Sequence, residues 1–169
     1  MSVLYNPKTK QFYLHTKNSS YVMELYENQL AHSYWGIRIN EIPDLEHYYA
    51  FRFGADFSAS DIPGKRFNST DKLRQEYPVY GTGDMRSSAL QVENATGYSI
   101  TRLRYESHRI FDGKPILSGL PATYGDDCET LEITLTDELT GVTAVLHYTV
   151  FPEKDVLTRS VRIENRGNA

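Results

Sequence analysis

Thr130-Leu131-Glu132-Ile133-Thr134-Leu135-Thr136 alternates polar and apolar residues without a break. An extended chain turns successive side chains to opposite faces, so Leu131, Ile133 and Leu135 share one face and the Thr and Glu residues the other. One face is expected in a core and the other towards solvent. The next run, Val142 to Phe151, has a similar span and follows Asp137-Glu138-Leu139-Thr140-Gly141, a short connection ending in glycine. That combination predicts a β-hairpin. Working outward, Tyr21 to Tyr26 pairs in the same way with Gln29 to Trp35 across Glu27-Asn28. Turn formers recur at Asn6-Pro7-Lys8, Asn94-Ala95-Thr96-Gly97 and Asp112-Gly113-Lys114-Pro115. Strands at such intervals predict an all-β chain folded as an antiparallel β-sandwich.

Near the C-terminus a further strand, Val156 to Glu164, runs into Asn165-Arg166-Gly167-Asn168. Asn and Gly tolerate the positive φ values of tight turns, so a returning strand is expected beyond Ala169 and the sandwich is expected to be incomplete. An unpaired edge would then expose backbone donors and acceptors.

The composition suits one core: 169 residues with 40% hydrophobic content need neither disulfides nor metals to fold. A net charge of -4 argues against a nucleic-acid surface, which depends on clustered Lys and Arg. Cys128 stands alone, which excludes an internal disulfide and a Cys-based metal site and fits a reducing compartment. The start, Met1-Ser2-Val3-Leu4-Tyr5-Asn6-Pro7, has no secretory pattern, and no run is long enough to span a bilayer. A cytoplasmic protein that contacts neither membrane nor nucleic acid is expected. The Asn-x-Ser/Thr triplets at Asn18, Asn68 and Asn94 are then chance matches.

Residues 42–83 break the alternation with Pro43, Gly54, Pro63, Gly64, Pro78, Gly81 and Gly83, together with many aromatic residues. A loop this long inside a compact domain is expected to be functional, although its aromatics could equally cover an open face of the sandwich. No phosphate loop, His-Glu-x-x-His, nucleophile elbow or Cys pair is present. Asp126-Asp127 reads as solvated loop charge, because neighbours on an extended chain point apart and seldom flank one bond. His32, His108 and His147 fall in predicted strands, where a structural or surface role is the ordinary one. Thirteen Tyr and the single Trp35 could stack on sugar rings, but strand aromatics serve first as core and cross-strand pairs.

Gln75-Glu76-Tyr77-Pro78-Val79-Tyr80-Gly81-Thr82-Gly83-Asp84-Met85-Arg86 resembles a block of the bacterial α-galactosidases of glycoside hydrolase family 36, with Met85 in place of the usual Phe. Further matches are Ala31-His32-Ser33-Tyr34-Trp35-Gly36, Gly119-Leu120-Pro121-Ala122-Thr123-Tyr124, Glu129 to Ile133, Tyr5-Asn6-Pro7 with Gln11-Phe12, and Thr158-Arg159-Ser160. The resemblance runs in family order from Met1 to Ala169. It implies the N-terminal part of a galactose mutarotase-like β-supersandwich that packs on a (β/α)8 catalytic barrel in a tetrameric, retaining α-galactosidase.

The barrel, with its Lys-Trp-Asp nucleophile motif, is absent from these residues. Retention requires two carboxyl groups roughly 5 Å apart, so no catalysis is expected from this chain alone, and the resemblance implies no cofactor or metal. What it does imply is contact with an α-galactoside through the whole enzyme, with the barrel, and with neighbouring subunits. In the family a loop Asp ahead of a Phe-Ser pair reaches a neighbour's pocket. Asp56-Phe57-Ser58 is the nearest match and makes Asp56 the candidate substrate-binding residue, while an Asp in such a loop also serves as a turn former. The Tyr80 to Arg86 block reads as architectural, with Asp84 and Arg86 able to pair. Two other readings stay open: a stand-alone carbohydrate-binding sandwich, and a mutarotase-like enzyme with a His and a carboxylate converging in a cleft.

Overall fold

The computed structural model describes residues 1–41, 73–82, 87–119 and 122–167. Their strands are β1 (Val3–Asn6), β2 (Gln11–His15), β3 (Ser19–Tyr26), β4 (Gln29–Ile37), β5 (Arg104–Asp112), β6 (Glu129–Thr136), β7 (Val142–Phe151) and β8 (Val156–Asn165). Helix among the described residues is limited to single 3-10 turns at Tyr80–Thr82 and Pro152–Lys154. The strands form two antiparallel sheets in chain order, β1-β2-β3-β4 and β5-β6-β7-β8. The all-β fold expected from the alternation is therefore the one observed.

The turns follow from local chemistry. Glu27 and Asn28 both have positive φ, 49° and 62°, which matches the right-handed strand twist in a two-residue hairpin. Gly141 closes the β6–β7 connection at φ 73°, and a Cβ there would collide with the backbone of Gly167.

Phe12, Leu14, Tyr21, Met23 and Leu25 of the first sheet meet Leu131, Ile133, Leu135, Leu146, Tyr148 and Val150 of the second, with Val79 and Leu103 completing the core. The simple picture of one buried and one solvated face fails at the central strands. Glu132 and Thr130 are buried on the outer face of β6, and β7 is buried along its whole length. The physical reason is that neighbouring long side chains and loops cover the outer face, as Arg109 does at Glu132.

Residues 73–82, the described part of the predicted 42–83 loop, are anchored rather than loose. His32 N–H donates to the Arg74 carbonyl at 2.7 Å, Glu76 N–H donates to the Leu30 carbonyl at 2.9 Å, and Gln75 bridges to Ala31. Leu73 and Val79 are buried, and a Cβ at Gly81 would collide with the Thr101 carbonyl. Asp56, Asp84 and Arg86, with the rest of 42–72 and 83–86, lie outside the described residues.

Within its sheet β8 is an edge strand, paired to β7 from Val156↔Phe151 to Asn165↔Val142.

Candidate functional site

Glu76 stands between the two sheets with a side chain only 2% exposed. Its Oε1 accepts the hydroxyl of Tyr21 on β3 at 2.6 Å and that of Tyr148 on β7 at 3.1 Å, and it lies 2.7 Å from Arg159 Nη2 on β8. Arg159 Nη2 also donates to the Glu76 carbonyl at 3.3 Å. His32 Nδ1 sits 3.5 Å from Oε2, close enough for electrostatic attraction but outside hydrogen-bonding geometry.

The local sequence dictates each placement. Tyr21 and Tyr148 occupy inward positions of central strands, Arg159 is the cross-strand partner of Tyr148, and its guanidinium lies 5.2 Å from the centre of that ring. Burial first, and then the Glu76 charge, push both phenols well above their ordinary range, so both act as donors. A lone buried carboxylate would be strongly unfavourable; two hydroxyls and a guanidinium offset that cost. The arrangement ties two sheets and an edge strand to one residue, and it leaves Glu76 enclosed rather than presented to a ligand. Beside it, Trp35 is 72% exposed and packs edge-on against Tyr21 at 5.8 Å.

A second charged row crosses the outer face of the other sheet, where Arg109, Glu132, His147 and Ser160 are successive cross-strand partners. Arg109 grips Glu132 with a two-pronged bond, Nε to Oε1 at 2.6 Å and Nη2 to Oε2 at 2.8 Å, and His147 Nε2 lies 2.8 Å from the same Oε2. A carboxylate only accepts, so Nε2 carries the proton. Hydrogen bonding from Arg109, aided by His147, holds the Glu132 carboxyl below its usual range and makes it a weak base. The row lines a recess of about 260 Å³ with Phe111, Ile116 and Arg162.

These positions decide what the described residues can do. Glu76 lies on the inner side of the β5–β8 sheet and Glu132 on its outer face, so the two carboxylates cannot flank one bond. The three His also disperse as strand residues. His32 is beside Glu76, and His147 is on the outer face. His108 packs edge-on against Phe12 at 4.9 Å, with Nδ1 2.6 Å from the Tyr105 hydroxyl. Asp126 and Asp127 are exposed loop residues, and among the described residues no group of three His, Cys, Asp or Glu could hold a metal ion. No described helix is long and apolar enough to cross a membrane. Cys128 is buried and unpaired, and burial raises its thiol above the ordinary range.

Sequence reasoning missed the Glu76–Arg159 pair, although both residues fall in blocks that carried the family resemblance. One signal was available. Arg159 interrupts the inward series Leu157, Val161, Ile163, and a charge in an apolar phase asks for a buried counter-charge.

The model of the glycosyl hydrolase family 36 N-terminal domain matches residues 28–169. Among curated relatives, alpha-galactosidase AgaA of Geobacillus stearothermophilus is 46% identical over 171 residues, which is 99% of this chain and 23% of that protein. The bifunctional alpha-galactosidase/sucrose kinase AgaSK of Mediterraneibacter gnavus is 43% identical over 99% of this chain and 18% of its own length. Among solved structures, the family 36 alpha-galactosidase AgaB of Geobacillus stearothermophilus superposes with a TM-score of 0.89 at 45% identity, covering 99% of this chain and 23% of that one. Variants of AgaA have been solved with raffinose and with stachyose. The chain thus spans about a quarter or less of the proteins it matches, and over residues 28–169 it belongs to the N-terminal domain family of glycosyl hydrolase family 36.

Proposed function

We propose that this chain is the non-catalytic N-terminal sandwich region of a retaining α-galactosidase, an enzyme that releases terminal α-D-galactosyl residues from melibiose- and raffinose-type oligosaccharides. The observation that carries the reading is likeness along 99% of the chain to α-galactosidases about four times its length. It is supported by the state of the four buried carboxylates among the described residues, since Glu24, Glu76, Glu132 and Asp137 each accept hydrogen bonds from partners within the sandwich. The paired carboxyl groups that a retaining mechanism needs would come from a barrel outside these residues.

In this reading the sandwich supports the barrel and the contacts between neighbouring subunits of a cytoplasmic tetramer. The 42–83 segment lines the substrate pocket, and Asp56 accepts hydroxyl hydrogen bonds from the galactoside. The anchoring of residues 73–82 to β4 gives that segment a firm return point.

A chimera tests the proposal. This chain replaces the matching 171 residues of AgaA, and turnover of a chromogenic α-galactoside is measured beside that of the 169-residue chain alone. The chimera is expected to be active and the isolated chain inert. Turnover by the isolated chain, or a folded chimera without activity, would overturn the proposal. In the active chimera Asp56→Ala is expected to raise KM more than it lowers kcat.

A further inference from the structure

Trp35 is the sole tryptophan of the chain, and it is the outer member of a file of aromatic rings that runs into the core. Its indole packs edge-on against Tyr21 with ring centres 5.8 Å apart, and Tyr21 in turn lies 6.3 Å from Tyr148. Both tyrosines are buried, and burial keeps their phenols protonated at rest. Indole and phenol are among the side chains that give up a single electron most readily, and rings in contact exchange one directly.

The members of the file differ in where a proton can go. A phenol that loses an electron becomes a strong acid, so its oxidation is easiest where the hydroxyl already points at a base. The Tyr21 hydroxyl donates to Glu76 Oε1 at 2.6 Å. The Tyr148 hydroxyl reaches the same oxygen at 3.1 Å, but the Arg159 guanidinium lies 5.2 Å from the centre of the Tyr148 ring. A cation that close opposes removal of an electron from the ring. Tyr34, beside Trp35 in sequence, donates to the Ile37 carbonyl at 2.9 Å, and a peptide carbonyl is a far weaker base than a carboxylate. Tyr21 therefore combines contact with the indole and a carboxylate ready for its proton.

We propose that Trp35, Tyr21 and Glu76 form a one-electron relay that moves oxidative damage off the exposed indole. A radical oxidant in solution, such as the carbonate radical anion, takes one electron from Trp35 and is itself reduced to carbonate. Tyr21 returns an electron to the indole, and its phenolic proton passes to Glu76 Oε1 as it does so. The products are intact Trp35, a neutral Tyr21 phenoxyl radical and a protonated Glu76 carboxyl. One electron from a soluble reductant such as ascorbate, with the proton handed back by Glu76, restores the starting state. This inference does not rest on the proposed function.

Pulse radiolysis of the 169-residue chain with the azide radical, which takes an electron preferentially from indole and becomes azide, tests the relay. The indole radical absorbance is expected to decay as phenoxyl absorbance grows, at a rate independent of protein concentration. Tyr21→Phe is expected to lose this coupled growth and to leave the indole radical long-lived. Tyr148→Phe, which removes a hydroxyl from the same carboxylate oxygen, is expected to keep it, with the far-ultraviolet spectra of both variants matching that of the parent. In heavy water the transfer in the parent chain is expected to slow, because a proton moves with the electron, and this readout needs no variant. Coupled growth that persists in Tyr21→Phe would overturn the relay, as would a parent chain that shows no transfer or transfers at the same rate in heavy water.

Discussion

Arg159 Nη2 lies 2.7 Å from Glu76 Oε1, and through that contact an edge strand is bound to the segment that returns to the sandwich at residues 73–82. The same oxygen collects the hydroxyls of Tyr21 and Tyr148, so one carboxylate joins groups from both sheets. Removing it should be felt far from its own place in the chain.

Glu76→Ala leaves two buried phenols without an acceptor and Arg159 without its counter-charge. Breaking a buried pair from one side costs about 3 kcal/mol or more, so the denaturation midpoint is expected to fall steeply. Arg159→Ala, removing a half-exposed partner, should cost less. The double variant should lose less than the sum of the two, because the pair acts as a unit. Chemical denaturation of all four proteins gives the coupling, and strictly additive losses would refute the shared role.

His108 and His15 set a pH limit. Burial lowers both imidazoles, with the Arg38 charge adding to the effect at His15. The unfolded imidazole titrates near 6.5, so the unfolded state takes up protons first as pH falls. The stability these groups contribute is present above about pH 6.5 and is lost as pH drops from there through the folded values. His108→Phe is expected to flatten this part of the stability profile, measured as melting temperature against pH. An unchanged slope would count against the assignment.

Glu132 acts at lower pH and in the same direction. Its folded carboxyl is held below the unfolded value of about 4.3, chiefly by hydrogen bonding from Arg109. Its contribution is therefore present above that value and is lost as pH falls further towards the folded one. Arg109→Lys replaces a two-pronged grip by a point charge. Carbon-13 titration of the Glu132 carboxyl is expected to show an upward shift in this variant, and a larger one in Arg109→Met. No shift in either would show that Arg109 does not set the ionisation.

Gly141→Ala tests the β6–β7 turn. The position combines a φ of 73° with a backbone approach from Gly167 that a Cβ would obstruct, while Arg166 N–H donates to the Gly141 carbonyl at 2.9 Å. A loss of about 1–3 kcal/mol is expected for a side chain forced into such a conformation. Gly97→Ala is the control, because that glycine shares a positive φ but has open space around its Cβ position. It should lose less, and equal losses would remove the role assigned to the Gly167 contact.

The strands were legible because alternation is a local property. Leu131, Ile133 and Leu135 announce their common face within seven residues, and Glu27-Asn28 announces a two-residue turn from the backbone preferences of two side chains. The candidate site was only half legible. Glu76 lay inside a recognised block but read as part of a loop, and the strand positions of His32, His108 and His147 did not reveal that the three would disperse. Alternation was also misleading at Glu132, since an outward phase does not mean exposure once Arg109 lies across it.

From its sequence alone this chain is an all-β protein with hairpins at defined turns, and its motifs resemble one glycosidase family from end to end. Periodicity and turn chemistry act over a few residues, which is why they could be read directly. The tertiary structure alone decided that Glu76, Tyr21, Tyr148 and Arg159 share one buried centre, and that Arg109, Glu132 and His147 share another. Those partners are separated by up to 127 positions in Tyr21 and Tyr148 and meet only when two sheets close on each other. The choice of partner for a buried charge is settled by desolvation in the finished core, a property of packing that no local pattern carries.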